Sequence, residues 1–112
     1  MLQSDSFQIA SETVWEDLGE GIQRQIFGHD DNIMLVKVKF EKDAIGQLHH
    51  HPHVQVSYVA SGIFETSIAG QIKVLKQGDG FYVKPNTVHG VVCKEAGMLI
   101  DVFSPHRADF LP

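Results

Sequence analysis

The chain alternates apolar and polar residues over many short stretches. In the clearest example, Val36, Val38 and Phe40 alternate with Lys37 and Lys39. This pattern is typical of a strand with one buried face and one face in water. We predict strands of this kind at 33–41, 22–27, 54–60, 63–68, 71–76, 80–84, 88–93 and 98–103.

Clusters of turn-forming residues separate these stretches, and no stretch has the pattern of a long helix. The clusters lie at 30–32, 61–62, 69–70, 78–80, 85–87 and 95–97. Short strands at this spacing predict an all-β sandwich or barrel. The segment 7–19 is expected either to add an edge strand or to cover one end of the core. The tail, 106–112, is expected to form one irregular or helical turn.

The composition is that of an ordinary globular protein and excludes several classes. A length of 112 residues predicts one domain over 1–112. A net charge of −5 and the lack of a Lys/Arg cluster argue against nucleic acid or a membrane surface as partners. No apolar run is long enough to span a membrane and no secretory signal is visible, so the cytoplasm is the expected location. Cys93 has no second cysteine to pair with and is expected to be a small buried residue.

Seven histidines in so short a chain are the unusual feature of the composition. His49 and His51 are two residues apart, so on an extended segment their rings point to the same side, and Gln55 shares that parity. His89 follows a Pro-Asn turn and can bring a third imidazole from a neighbouring strand. Three imidazoles and one side-chain oxygen suit a divalent transition metal.

The other histidines are weaker candidates. His53 has the same parity as the first pair, but Pro52 leaves its direction open, so it could replace or supplement a ligand. His50 has the opposite parity and is expected to face solvent or to lie next to the ligands. His29 and His106 are expected to be solvated loop residues.

An acidic residue near the carboxyl end shares a strand face with two apolar residues. If Asp101 pointed outward, Leu99 and Phe103 would be exposed together, so we expect this face to point inward. Burial would raise the pKa of Asp101 toward the range useful for proton transfer, whereas a metal or Arg107 nearby would lower it. The outward orientation remains the alternative.

Two segments of the chain resemble the two motifs of the cupin family. In the first, 46–62, His49, His51, Gln55 and Gly62 fall on motif positions, and in the second, 78–89, His89 falls on the third histidine position. The resemblance implies a single-domain, RmlC-like jelly-roll barrel of antiparallel strands. It also implies one divalent metal ion held by these three histidines and Gln55. Three residues depart from the motifs: Asp43 and Asn86 stand at glycine positions, and Lys84 stands at a proline position.

The whole chain is similar to the KdgF-type cupins of pectin and alginate breakdown. The similarity rests on 15–19, on the loop from His49 to Gln55, and on 101–105 together with Arg107, Asp109 and Phe110. It implies an enzyme that opens the ring of 4,5-unsaturated monouronates, small anionic sugar acids, to give a linear keto acid. It further implies that Asp101, Phe103 and Arg107 are active-site residues. Because Gln55 is a neutral ligand, the metal would keep its full charge, which favours an anionic substrate.

Two other functions and several metals stay open. Three histidines could also hold iron in a dioxygenase, or the barrel could bind a small acid without changing it. The presence of both Asp101 and Arg107 favours an enzyme, because simple binding does not require the pair. The ligand set suits nickel, zinc, iron, manganese or copper.

A homodimer is expected, because a single β domain exposes sheet edges.

Overall fold

The computed structural model describes residues 3–112, which form eight strands and two short 3₁₀ helices. The strands are β1 (Glu16–Gly19), β2 (Ile22–His29), β3 (Met34–Phe40), β4 (Ile45–His49), β5 (Val54–Ile68), β6 (Gln71–Lys76), β7 (Gly80–Val83) and β8 (His89–Ser104). The helices are Ala10–Glu12 and Ala108–Phe110. No helix in this part of the chain combines the length and hydrophobicity needed to cross a membrane.

The strands form one antiparallel sheet that folds into two facing walls. Its order is β1-β2-β3-β8-β5-β6, with β4 also paired to β8 and β7 to β5. The first half of β5 pairs with β7 and the second half with β6, while the first half of β8 pairs with β4 and the second half with β3. Each long strand therefore belongs to both walls, and the predicted all-β jelly-roll barrel is confirmed.

The two long strands correct the predicted boundaries. The predicted strands 54–60 and 63–68 form one strand, β5, and 88–93 and 98–103 form another, β8. The predicted turns at 61–62 and 95–97 are therefore both wrong. The glycines there bend the strands instead of ending them. Gly62 has a φ of +85°, and a Cβ added to it would lie 2.6 Å from the carbonyl oxygen of Glu95 and 2.7 Å from the Cα of Gly97. Only glycine permits this conformation together with so close an approach of two backbones.

The shorter strands and the two end segments match their predicted positions to different extents. The strands β3, β6 and β7 lie within one residue of the predicted bounds. The open segment 7–19 forms the first 3₁₀ helix and the edge strand β1, and the buried Gln25 amide nitrogen donates to the carbonyls of Ala10 and Thr13. The tail forms the helical turn that was expected. Strand β4 was not predicted, because its apolar residues Ile45 and Leu48 are exposed and break the alternation.

The apolar core has two parts, and the smaller one reaches the polar end of the barrel. The larger part contains Phe40, Ala44, Val59, Phe64, Val91, Cys93 and Leu99, so Cys93 is buried as predicted. The smaller part contains Met34, Val36 and Phe103, with the tail residues Phe110 and Leu111 packed against it. Since Phe103 belongs to this cluster, core packing holds one of the predicted site residues in place.

The contact at Gly62 gives a test of the barrel's geometry. Gly62→Ala should lower the free energy of unfolding by several kcal/mol, about 3 or more, because it adds a backbone clash to an unfavourable φ. Gly70→Ala is the matched control, since Gly70 has a similar φ of +81° but nothing within 4 Å of an added Cβ. The control should lose only about 1 kcal/mol. Urea unfolding measures both, and equal losses would contradict the proposed close approach of β5 and β8.

Candidate metal and active site

Three histidines meet at one end of the barrel, and the pairing of β4 with β8 brings two of them together. His49 ends β4, His89 begins β8, and the two are partners in register. His51 lies just beyond β4, where its carbonyl accepts a hydrogen bond of 2.7 Å from the Asn86 backbone. Potential ligand atoms of the three rings all lie within 4.8 Å of one another. The predicted grouping of these histidines is thus seen in the structure.

Backbone carbonyls determine which ring nitrogen faces the centre. Each Nδ1 lies within hydrogen-bond distance of a carbonyl two residues away, and a carbonyl can only accept. Nδ1 therefore carries the proton, and Nε2 keeps a free lone pair. The carbonyl distances are 2.8 Å from His49 to Gln47, 3.0 Å from His51 to His53 and 2.8 Å from His89 to Thr87.

The Gln55 side chain adds a fourth potential ligand and shows that the site fits a cation. Its amide oxygen lies 3.0 Å from Nε2 of His51 and 3.2 Å from Nε2 of His89. None of these three atoms has a proton to donate, so three lone pairs converge in a buried space. That arrangement is repulsive unless a positive ion lies among them. The donor set suits a divalent transition metal.

The protonation of the buried histidines also favours metal binding. Burial lowers the pKa of His51, and the charge of Arg107 lowers it further, although the Gln55 side chain opposes the change. Burial lowers the pKa of His89 to about 4. Both rings are therefore neutral near pH 7, which is the form that binds a metal.

A chain of hydrogen bonds connects the Gln55 amide to a buried carboxyl group. The amide nitrogen donates to the Ser57 hydroxyl over 2.9 Å, and that hydroxyl donates to Asp101 over 2.6 Å. Because Ser57 donates its one proton to the carboxylate, it must accept from the amide, which turns the amide oxygen toward the histidines. Asp101 is 9% exposed, so it faces inward. Burial raises the pKa of Asp101 to about 6, against the opposing effects of Ser57 and Arg107.

Phe103 and Arg107 lie beside these groups. The buried Phe103 ring meets the His51 ring edge-on, with centroids 5.7 Å apart. The Arg107 guanidinium lies 5.0 Å from the centre of Phe103 and 4.2 Å from the centre of Phe110. Two hydrogen bonds, of 3.1 and 2.9 Å, join it to Asp109. The structure therefore brings together all the residues predicted for the site.

One cavity of about 220 Å³ contains this chemistry. Its polar lining is formed by His49, Gln55, His89, Asp101, Arg24 and Arg107, and its walls include Leu18, Ile22, Val38, Phe40, Phe81, Leu99, Phe103 and Phe110. Three larger depressions, of about 540, 560 and 410 Å³, contain none of these polar groups. The small cavity is therefore the candidate site, because potential ligands, an acid and cations converge there.

The remaining histidines lie outside the group that could hold a metal. The His53 ring nitrogen Nε2 is 3.1 Å from the carbonyl of His106. His106 lies in a loop, as expected, and its Nδ1 is 3.1 Å from the carbonyl of Asp31, whereas His29 ends β2 and is therefore not the loop residue that was expected. His50 is exposed. Only the three histidines of the centre remain as imidazole ligands in the part of the chain that the structure describes.

Sequence reasoning missed two polar residues of the site. Ser57 has the same strand parity as Gln55, and Arg24 shares the inward face of β2 with Ile22 and Ile26. Strand parity alone could have placed both side chains inside the barrel. Their polarity concealed this, because a serine or arginine within a strand is usually read as an exposed residue.

Comparison with known proteins agrees with this geometry. The model of the Cupin domain family matches residues 36–103. The pectin degradation protein KdgF of Dickeya dadantii is 51% identical over 105 residues, which cover 92% of this chain and 96% of that protein. These matches include the histidine centre and extend well beyond it.

Two crystal structures match almost the whole chain. An RmlC-like cupin from Shewanella frigidimarina is 48% identical, with a TM-score of 0.97 over 99% of this chain and 100% of that one. KdgF from a Halomonas species is 42% identical, with a TM-score of 0.92 over 96% of this chain and 100% of that one. The chain therefore belongs to the cupin family, and its similarity places it with the KdgF-type members of that family.

Proposed function

We propose that this protein converts 4,5-unsaturated monouronates, as released in pectin or alginate breakdown, to linear keto acids. One observation carries the proposal: a buried acid, Asp101, is hydrogen-bonded through Ser57 to the Gln55 amide, whose oxygen lies among the histidines in the cavity that Arg107 also lines. The KdgF name of the relative with 51% identity supports a role in pectin degradation. Binding without reaction would not require an acid with a raised pKa beside the metal site.

The residues that would hold the metal are His49, His51, Gln55 and His89. Each presents an unprotonated nitrogen or an oxygen, and the amide is oriented by Ser57. A divalent ion bound there would act as a Lewis acid that stabilises negative charge on a substrate oxygen. All four ligands are neutral, so the site would keep a positive charge that attracts a carboxylate.

The reaction is an isomerisation that moves one proton. A base removes the proton of the C1 hydroxyl, a C1=O bond forms, and the bond from C1 to the ring oxygen breaks. The released electron pair forms an enolate across the ring oxygen, C5 and C4. A proton is then added to C4, and C5 becomes a ketone. The product has the same atoms as the substrate, and no oxidant is consumed.

Asp101 is suited to both proton transfers. As a carboxylate it accepts the C1 proton, and as an acid it delivers a proton to C4. A pKa of about 6, raised by burial, makes both forms accessible near neutral pH. Ser57 holds the carboxyl group in place by donating to its Oδ1.

Arg107 and Phe103 would bind and enclose the substrate. A guanidinium binds a carboxylate through paired N–H donors, so Arg107 is positioned to hold the uronate's carboxylate. Phe103 is 3% exposed and contacts both His51 and Arg107. Its ring would pack on the sugar and exclude water from the enolate.

We further propose that two copies associate through the outer surface of β5 and β7. Val56, Tyr58 and Tyr82 are each about half exposed, and Val56 pairs with Tyr82 in register. An apolar cluster of this kind on a sheet face favours association, and a twofold dimer is the commonest arrangement. The cytoplasmic location expected from the sequence stays a prediction.

The first test removes the acid. Asp101→Asn keeps a hydrogen-bonding group for Ser57 but cannot shuttle a proton, so turnover should fall by at least about 100-fold. The assay follows the ultraviolet absorbance of the unsaturated uronate. Metal content should remain that of the wild type, and the exposed Asp31→Asn serves as control. Full activity in the Asp101 variant would contradict the proton-shuttle role.

Two further measurements on the wild-type protein distinguish the proposed ring opening from the other candidate functions. Oxygen consumption in step with substrate loss would indicate a dioxygenase. Uronate that binds but is recovered unchanged would indicate a binding protein. Either result would overturn the proposed ring opening.

A second test concerns the orientation of the amide. Ser57→Ala frees the Gln55 amide to rotate, so affinity for Zn²⁺, measured by calorimetry, should weaken by about tenfold or more. Ser104→Ala is the control, because it removes a hydroxyl that donates to the Asn32 carbonyl outside the cavity. Unchanged affinity in the Ser57 variant would show that the amide does not depend on this hydroxyl.

A third test concerns assembly. Tyr58→Glu places a charge on the proposed interface and should convert the dimer to a monomer in light scattering. Ile72→Glu changes an apolar residue that is 60% exposed on the other wall, and it should leave the dimer intact. If the wild type is monomeric, or the Ile72 variant alone dissociates, the proposed interface is wrong.

A further inference from the structure

A second guanidinium lines the same cavity as Arg107. Arg24 lies on β2, and its guanidinium carbon is 4.0 Å from the centre of the Phe110 ring. Arg107 lies 4.2 Å from the same ring. Two cations thus converge on one aromatic side chain at the cavity wall. Like charges repel, so this arrangement needs compensation from anions or oxygen atoms nearby.

Each arginine forms an ion pair with one carboxylate on its solvent side. Arg24 bonds Glu16 over 3.2 Å, as Arg107 bonds Asp109 over 2.9 Å. Both arginine side chains are largely buried, at 16% and 12% exposure, while the acids are 41% and 60% exposed. The acids therefore bind the arginines from the solvent side and leave other guanidinium N–H groups free to donate into the cavity.

Arg24 has a buried donor without a partner. Its Nε is enclosed by protein and makes no hydrogen bond in the structure. The cavity walls near it are apolar, including Leu18, Ile22 and Val38. An unsatisfied buried N–H costs about 1–3 kcal/mol, which a bound oxygen atom would offset.

The sheet register places Arg24 away from the metal end of the cavity. Arg24 pairs with Val38 on β3, and Val38 pairs with Leu99 on β8, two residues along the strand from Asp101. The strand that carries Arg24 is thus two strands from β8, a separation of about 10 Å. Both guanidinium groups nevertheless contact the Phe110 ring, so a sugar acid whose carboxylate lies at Arg107 would have hydroxyl groups within reach of Arg24.

We propose that Arg24 is a substrate-binding residue, which donates hydrogen bonds to hydroxyl oxygens of the sugar acid while Arg107 binds its carboxylate. The inference rests on the proposed function, which supplies the class of ligand. It adds a second point of attachment beside Arg107, in the cavity that Asp101 also lines. A contact to unreacting hydroxyls binds substrate and transition state equally, and its loss affects KM more than kcat.

Arg24→Lys and Arg24→Gln test this proposal. Lysine keeps the charge and can still lie over Phe110, but it lacks the Nε–H and the planar fork. Both variants should raise KM for the unsaturated monouronate by about tenfold and leave kcat within about threefold. Binding of saturated galacturonate, measured by calorimetry, should weaken by a similar factor. Lys39→Gln removes a cation that lies 4.3 Å from the Trp15 ring, outside this cavity, and should change neither constant.

The alternative is that Arg24 only anchors the tail through Phe110. In that case Arg24→Lys would restore wild-type constants, and Arg24→Gln would lower the melting temperature and kcat together. That result, or an unchanged KM and galacturonate affinity in both variants, would overturn the proposal. If the wild type shows no turnover, the proposed function fails, but the galacturonate titration still tests whether Arg24 binds the sugar acid.

Discussion

The pairing of β5 with β8 is the constraint on which the rest of the structure depends. It runs from Val54 opposite Ser104 to Ile68 opposite His89, and it places Ser57 directly opposite Asp101. A slip of one residue would turn the inward side chains of either strand to the outside. The hydrogen-bonded chain from Gln55 to Asp101 is thus a direct result of strand register. The bend at Gly62 lets the same two strands build both the polar end and the apolar core.

The polar end of the barrel is stable only if its buried groups are compensated. Ser57 and the Gln55 amide nitrogen compensate the Asp101 carboxyl group, and backbone carbonyls compensate the Nδ1 protons of the histidines. The lone pairs around the Gln55 oxygen remain uncompensated, since no protein donor satisfies them among the contacts of the described residues. A metal site and a folded barrel are therefore coupled, because binding a cation removes a repulsion that the fold leaves in place.

Sequence patterns predicted the parts of this molecule that depend on local periodicity. Alternation located β3 and β6, and parity put His49, His51 and Gln55 on one side. Parity also put Asp101 inside, since its neighbours are apolar. The bends escaped prediction because a glycine that kinks a strand and a glycine that ends one look alike in sequence. At Gly62 and Gly97 the strand bends because two segments that are distant in sequence touch, and local sequence does not show that contact. The contact of Arg24 with Phe110 could not be predicted for the same reason.

The net charge of −5 describes the outer surface and not the cavity. Glu16 and Asp109 contribute to that negative total, yet each lies on the solvent side of an arginine whose side chain lines the cavity. The acids lower the cost of holding two guanidinium groups near each other, while solvent screens the acids more than the buried cations. An anion inside the cavity therefore meets a positive potential in an acidic protein. In this chain the placement of two arginine–carboxylate ion pairs, and not the net charge, decides which ligand can bind.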